Sequence, residues 1–391
     1  MGFRLRLMYL SKFFRTKVFY NMKENMLQSL KGKTPVDWKL FIPAFLLSLA
    51  GLVTMDSFSG DHYFFIRQAS WIVIAIAVFF IANVVDWRFL RRTKVVVTIF
   101  LIVLGMLALL FVVGHVAKGA QSWFRLGLLG FQPSDLAKLA TIFMLAKYFS
   151  RRHIEIANIK HIIVSGVYAL LVFVLVFLQP DFGGAVIIFL LWLGMVFVSG
   201  LSKKHFLIVV SMGVAVTMVL WLFVFQPYQK ARIVSFINPL GDIQGSGYNA
   251  YQSTIAVGSG QILGKGIGYG TQSKLQFLPE YETDFIFAAF AEEWGFIGTV
   301  ILLILCLALI MRIISKAQNA PTNFETLYGL GLAILFSIHI GIHAGMNIGS
   351  LPVTGITFPF MSYGGSHLVT EWFALGVLSS MGRFSKGPRL S

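Results

Sequence analysis

Apolar residues in this chain fall into long runs separated by shorter polar stretches. The runs cover about 39–55, 64–85, 95–115, 133–149, 161–178, 182–200, 205–225, 285–311, 324–347 and 366–381. A helix needs about 20 apolar residues to cross the roughly 30 Å hydrocarbon core of a bilayer. The pattern predicts an all-α fold: a polytopic membrane protein with about ten transmembrane helices. An even number of spans puts both termini on one side. The longest polar interruption, about 226–283, precedes the eighth helix. A stretch of that length without structure is uncommon unless it is functional. Within it, residues 250–258 read as a short interfacial helix.

Basic residues give the orientation. With the N-terminus cytoplasmic, the inner loops carry Arg88, Arg91, Arg92 and Lys94, then Arg151, Arg152 and Lys160, then Lys203 and Lys204, then Arg312 and Lys316. The C-terminal end adds Arg383, Lys386 and Arg389. Cytoplasmic loops of membrane proteins carry this excess. Asp56, Asp61, Asp135, Asp181, Asp242, Glu280, Glu282 and Asp284 fall on the opposite, extracytoplasmic side. The chain divides into a basic cytoplasmic tail at 1–37, a transmembrane domain at 38–382 with its large outer loop at about 226–283, and a tail at 383–391. The first 37 residues show no cleavable signal peptide. They read as a tail or as an amphipathic helix on anionic membrane lipids.

Composition agrees. Hydrophobic residues make up 57% and charged residues 12%, where a soluble domain carries about 25% charged residues. The net charge of +16 resides mainly in short loops between apolar runs and does not point to nucleic acid. The single cysteine, Cys306, lies inside an apolar run, which excludes an intrachain disulfide.

The densest candidate chemistry is Leu278-Pro-Glu-Tyr-Glu-Thr-Asp-Phe-Ile-Phe-Ala-Ala-Phe-Ala-Glu-Glu-Trp-Gly295. Glu280, Glu282 and Asp284 crowd the mouth of the eighth apolar run, and Glu292 and Glu293 lie inside it. A charge at a helix centre costs roughly 2.5–3.5 kcal/mol on insertion scales. Such groups face a cavity, pair with a cation or do chemistry. Asp284 reads either as the centre of an active site or as a helix cap. Capping does not explain the crowding, which raises carboxylate pKa values or binds a cation. The run from Phe285 to Met311 is longer than the hydrocarbon core. It is therefore tilted, or its first two turns stand in an outer cavity that keeps Asp284, Glu292 and Glu293 wet.

Other motifs carry less. Gly260-Gln-Ile-Leu-Gly-Lys265 is one residue short of a phosphate loop, lacks its Ser/Thr and has no preceding strand. His339 and His343 read as buried, satisfied histidines rather than metal ligands. Asp135 and Lys138 can pair at i, i+3, Asp181 reads as a helix cap, and Trp123 as an interface anchor or a substrate platform. Residues 347–366 form a Pro/Gly-broken segment, read as a re-entrant structural loop or as a lining whose Ser362, Tyr363 and Gly364-Gly365 amides donate to an anion.

Four segments together resemble the SEDS family, which includes the RodA, FtsW and SpoVE branches. They are Phe131-Gln-Pro-Ser-Asp-Leu-Ala-Lys138, Gln179-Pro-Asp-Phe-Gly-Gly184, Leu278-Pro-Glu-Tyr-Glu-Thr-Asp-Phe-Ile-Phe287, and Pro352-Val-Thr-Gly355 with Pro359-Phe-Met-Ser-Tyr-Gly-Gly365. Gly264-Lys-Gly266 followed by Gly270-Thr-Gln-Ser-Lys-Leu-Gln-Phe-Leu-Pro279 is most similar to the elongation branch, RodA. The resemblance implies a ten-span fold and a peptidoglycan glycosyltransferase that polymerises lipid II, with a class B penicillin-binding transpeptidase as partner. The family's essential aspartate falls on Asp284. Ser122 stands where the family often carries an arginine before Trp123, so that guanidinium contact does not carry over, and Arg125 lies three residues on. Asp135 replaces the more usual Glu.

The expected reaction is attack of an acceptor sugar hydroxyl on the donor's anomeric carbon, with Asp284 as general base. Lys138, Arg232, Lys265 and Lys274 are candidates to hold the departing diphosphate. Glu282 and Asp284 could bridge it through a divalent cation, Mg or Mn. Trp123, Arg125 and Ser362 complete the substrate-binding candidates. Two alternatives stay open: a lipid flippase with a proton relay, or a scaffold for the transpeptidase. The division and sporulation branches also stay open.

Overall fold

The computed structural model describes residues 36–57, 62–117, 120–126, 129–151, 159–200, 203–223, 225–238, 241 and 247–381. The two tails expected at 1–37 and 383–391 lie almost wholly outside the described residues, as do Asp61, Lys118 and Asp242. Each of the ten apolar runs coincides with one helix. In chain order these are α1 (Trp38–Asp56), α2 (Tyr63–Val84), α3 (Thr93–Val113), α4 (Pro133–Phe149), α5 (Ile159–Leu178), α6 (Phe182–Val198) and α7 (Lys203–Phe223). After the long interruption come α11 (Ile286–Gln318), α12 (Asn323–Asn347) and α13 (Gly365–Met381). Among the described residues, α1, α2, α3, α5, α11 and α12 are long and apolar enough to cross a membrane.

The interruption is itself largely helical. It holds α8 (Pro227–Ile237), α9 (Tyr248–Ser259) and the short α10 (Thr271–Lys274). α8 starts at a capping box, in which the Gln226 amide donates to Gln229 Oε1 at 2.9 Å and Pro227 takes the first helical position. α9 matches the helix expected at 250–258. One element departs from the sequence reading. The outer segment between α3 and α4 folds as a small antiparallel sheet of β1 (His115–Ala117), β2 (Ala120–Leu126) and β3 (Leu129–Phe131). β1 and β3 have three residues each, and the seven of β2, Ala-Gln-Ser-Trp-Phe-Arg-Leu, do not alternate apolar with polar, so periodicity gives no strand signal there.

α11 is central. It packs on α1, α9 and α12, while α13 packs chiefly on α2. The two ends of the bundle are chemically distinct. At one end Arg312 and Lys316 converge on Asp37 at 2.8 and 3.2 Å, Lys316 Nζ also donates to Ser379 O at 3.1 Å, and Arg91 pairs with Glu325 at 2.5 Å. That end gathers the start of α1 and the ends of α11 and α13. At the other end lie the turns that carry Asp181, Glu280, Glu282 and Asp284. Asp181 caps α6, accepting from the Gly184 amide at 2.8 Å. Burial pushes its carboxyl above the usual range.

Candidate functional site

The approach to Asp284 is a tight turn. Glu280 sits in the left-handed region at φ 52°, and its carbonyl accepts from the amides of Thr283, Asp284 and Phe285 at 3.1, 3.0 and 3.2 Å. Leu278 and Tyr281 anchor the turn by burying their side chains. α11 follows at Ile286, and no side chain caps it at Phe285.

The carbonyls of the turn are then taken up by distant parts of the chain. Ser362 Oγ donates to Thr283 O at 2.8 Å, and His343 Nε2 lies 3.3 Å from the same oxygen. Asn347 Nδ2 donates to Asp284 O at 3.0 Å, and Asn347 Oδ1 accepts from the Ala288 amide at 3.1 Å. The Tyr363 amide donates to Glu282 O at 2.8 Å. Asp284 therefore rides on a backbone fixed from α12 and from the 358–363 loop. Its carboxylate faces the turn at Gly355, where a Cβ would stand 3.4 Å from Asp284 Oδ2. Asp284 and Glu282 are both partly exposed.

Gly355 follows Pro352-Val-Thr, so two of the motif segments, 278–287 and 352–365, meet at this carboxylate. Gln68 of α2 completes the support: Gln68 Nε2 donates to Ser362 O at 3.1 Å. Phe287 and His343 both pack on Phe358, at 6.0 and 5.3 Å between ring centroids.

The other sequence candidates are placed as follows. Ser362 is buried, and its hydroxyl both accepts from the Phe358 amide at 2.7 Å and supports Thr283. It holds the turn rather than opening toward solvent. Lys265 Nζ lies 2.6 Å from Glu292 Oε1, and Lys274 Nζ donates to Gly268 O at 3.2 Å from an exposed position. Lys138 is buried and pairs with Asp135 at 3.0 Å. Both line a cavity of about 20 Å³ with His339, His367 and Glu371. One of its lining residues, His339, lies one helical turn before His343 on α12. Arg232 is exposed on α8. Trp123 is partly buried on β2, its ring over Gly130, and the side chain of Arg125 lies outside the described residues. Ser122 is buried.

One expectation needs correction. Glu292 and Glu293 do not stand wet in an outer cavity. They are 0% and 2% exposed. Nor is α11 continuous, because it breaks at Gly295, where φ is 66° and ψ −166°. The outer loop fills the break. The Glu292 and Glu293 carbonyls accept from the Lys265 and Gly266 amides, both at 3.0 Å. The Phe296 and Ile297 amides donate to Gln261 O and Ile262 O at 2.8 and 3.1 Å. These four backbone groups at the break thus find partners in the outer loop, as an apolar setting demands.

The two carboxylates complete the splice. Glu292 Oε1 accepts from the Thr271 amide at 2.9 Å and from its hydroxyl at 3.0 Å, and Gln272 N donates to Oε2 at 3.1 Å. Glu293 accepts from the Gly268 amide at 3.1 Å. These glutamates are anchors for the loop, and Gly266 and Gly268, whose amides reach Glu293, are their counterpart rather than part of a phosphate cradle.

The histidines are as read: buried, with His339 Nδ1 3.2 Å from Thr357 O. Among the described residues, no group of three or more metal-ligating side chains converges. Sequence reasoning missed Asn347 and Gln68. Their only signal was a polar side chain within an apolar helix.

A family model described as the cell cycle protein family FtsW/RodA/SpoVE matches residues 38–387. The chain is 40% identical over 271 residues to peptidoglycan glycosyltransferase MrdB of Escherichia coli strain K12, covering 68% of this chain and 72% of that one. It resembles a solved chain from a peptidoglycan synthase complex that coordinates polymerization and crosslinking. That match has a TM-score of 0.78, 30% identity and coverage of 90% of this chain and 99% of that one. It also resembles the rod shape determining protein RodA of Thermus thermophilus, with a TM-score of 0.69, 29% identity and the same coverage.

Proposed function

The chain belongs to the FtsW/RodA/SpoVE family of cell cycle proteins, and on that premise we propose that it is a peptidoglycan glycosyltransferase of the elongation branch. Similarity to MrdB, a peptidoglycan glycosyltransferase, and to RodA, a rod shape determining protein, supports this reading. The observation that carries the chemistry is Asp284: a partly exposed carboxylate on a backbone pinned by Ser362 and Asn347.

The substrate is lipid II, a disaccharide-pentapeptide on undecaprenyl diphosphate. The acceptor's sugar hydroxyl attacks the anomeric carbon of the donor. The new C–O bond forms as the bond to the diphosphate oxygen breaks, and Asp284 takes the hydroxyl proton. A positioned general base gives roughly 10²–10⁴-fold in rate. One displacement inverts the α-linked donor to a β-linked product, so a single base suffices. Lys274, exposed on the loop anchored to α11, is a cation available for the departing diphosphate. Glu282 and Asp284 give two carboxylates for a divalent cation, a set that suits a magnesium ion held also by substrate phosphates. The end bearing Asp284 faces outward across the cytoplasmic membrane, and the basic end carrying Arg91, Arg312 and Lys316 faces the cytoplasm, as basic residues prefer. The partner is a class B penicillin-binding transpeptidase.

The test is polymerisation of purified lipid II by the purified protein with its transpeptidase and no other glycosyltransferase. Asp284→Asn should abolish polymer while the protein stays folded and partner-bound. Polymer at the wild-type rate from Asp284→Asn overturns the assignment, and lipid translocation without polymer would favour a transporter.

A further inference from the structure

Asn347 is 0% exposed, at the last residue of α12. A buried primary amide is costly unless its donors and acceptor are used. Here all are used, and the partners are specific. Oδ1 accepts from the Ala288 amide at 3.1 Å, one of the four donors that the start of a helix leaves without an intrahelical partner. Nδ2 donates to Asp284 O at 3.0 Å and to His343 O at 2.8 Å. Ser253 Oγ donates to the Asn347 carbonyl at 2.9 Å, which ties the same residue to α9. The amide thus spans the junction between the turn and the helix, holding Asp284 on one side and the first turn of α11 on the other.

We propose that Asn347 is a positioning residue for Asp284, acting by fixing the peptide unit from which that carboxylate projects. The proposal rests on the reading of Asp284 as the general base. The chemistry demands an amide. An aspartate at 347 can accept from Ala288 but cannot donate to Asp284 O, and it brings a second negative charge beside the base. A leucine fills the space and satisfies neither partner. An alanine leaves both partners bare. His343 and Ser362 hold the neighbouring carbonyl of Thr283, so losing Asn347 loosens the turn at its Asp284 corner without freeing it altogether. Displacements near 1 Å at a reacting group cost on the order of 10²-fold in rate. Substrate binding that does not pass through Asp284, such as the contact offered by Lys274, should be spared.

The experiment is the polymerisation assay on Asn347→Ala and Asn347→Asp in the complex with the transpeptidase, normalised to folded protein by size-exclusion chromatography. The expected result is a kcat lowered about 10–10²-fold, the range for a misplaced catalytic group, with KM within about twofold. Asn347→Asp should also move the acid limb of the pH–rate profile upward, since a second carboxylate raises the pKa of the first, while Asn347→Ala leaves that limb in place. If small variants do not fold, Asn347→Gln serves. It keeps donor and acceptor but shifts them by one methylene, and should lower kcat in folded protein. Wild-type kcat in every folded Asn347 variant, with Asp284→Asn inactive, overturns this inference alone. An active Asp284→Asn overturns the parent reading instead.

Discussion

Gly264 and Gly295 approach so closely that neither has room for a side chain. A Cβ on Gly295 would stand 2.2 Å from the Gly264 amide nitrogen, and one on Gly264 would stand 2.1 Å from Glu293 O. Both residues have positive φ, 83° at Gly264 and 66° at Gly295. Non-glycine residues in such backbone regions cost of order 1–3 kcal/mol each. Gly295→Ala adds a clash with backbone that cannot move without undoing the splice. It should cost about 3 kcal/mol or more, seen as a lowered Tm in detergent and poor accumulation in membranes. A wild-type Tm would refute the close approach.

Glu292 should prove structural rather than catalytic. Glu292→Gln keeps the side chain's size but removes the charge that faces Lys265 and leaves an amide NH₂ toward donor groups. A loss of about 1–3 kcal/mol is expected, the range for a disrupted buried hydrogen-bond set. The 261–276 loop should become sensitive to limited proteolysis, and kcat per folded molecule should fall far less than in Asp284→Asn. A large kcat loss in stable protein would give Glu292 a chemical role.

The Asp135–Lys138 pair predicts non-additivity. Lys138→Met alone leaves the buried Asp135 carboxylate facing His367, whose Nδ1 lies 3.4 Å from Oδ1, and should cost about 3 kcal/mol, the low end for losing one partner of a buried pair. Asp135→Asn with Lys138→Met should cost less than the sum of the two single changes. Thermal unfolding of all three variants gives the coupling, and strict additivity would show that the pair does not interact.

Asp37 supplies a pH dependence. Burial alone would raise its carboxyl, but the hydrogen bond from Arg312, with Lys316 beside it, outweighs burial and holds the carboxyl below its usual range. A depressed folded pKa contributes stability that is present above the unfolded value of about 3.9 and is lost as pH falls through the folded value. Wild type should therefore lose Tm below about pH 4 more steeply than Asp37→Asn. Parallel Tm–pH curves would contradict this.

The spans were legible because a membrane enforces length and polarity. Runs such as 64–85 and 324–347 located α2 and α12 to within a residue or two. Asp284 stood out as a carboxylate at the mouth of such a run. Three things were hidden. Glu292 and Glu293 signal charge inside hydrocarbon, and nothing local shows that a loop about 20–30 residues upstream arrives to satisfy them. Asn347 lies 63 residues from the carbonyl it holds, and hydrogen-bond partners at that separation leave no periodic trace. Of the strands between α3 and α4, β1 and β3 are three residues long and the seven of β2 do not alternate apolar with polar. Ser362 reaches the turn of Glu282 and Asp284 only through the Thr283 carbonyl, and Lys138 and Lys265 are engaged by Asp135 and Glu292.

The splice at Gly295 also has a bearing on biogenesis. A helix interrupted amid hydrocarbon would enter the bilayer with bare amides and carbonyls, each costing several kcal/mol. The segment that caps them, Gln261–Gly266, is earlier in the chain and so leaves the ribosome first. When Glu292–Ile297 is synthesised, its complement already exists, and the break at Gly295 can be closed without waiting for anything still untranslated.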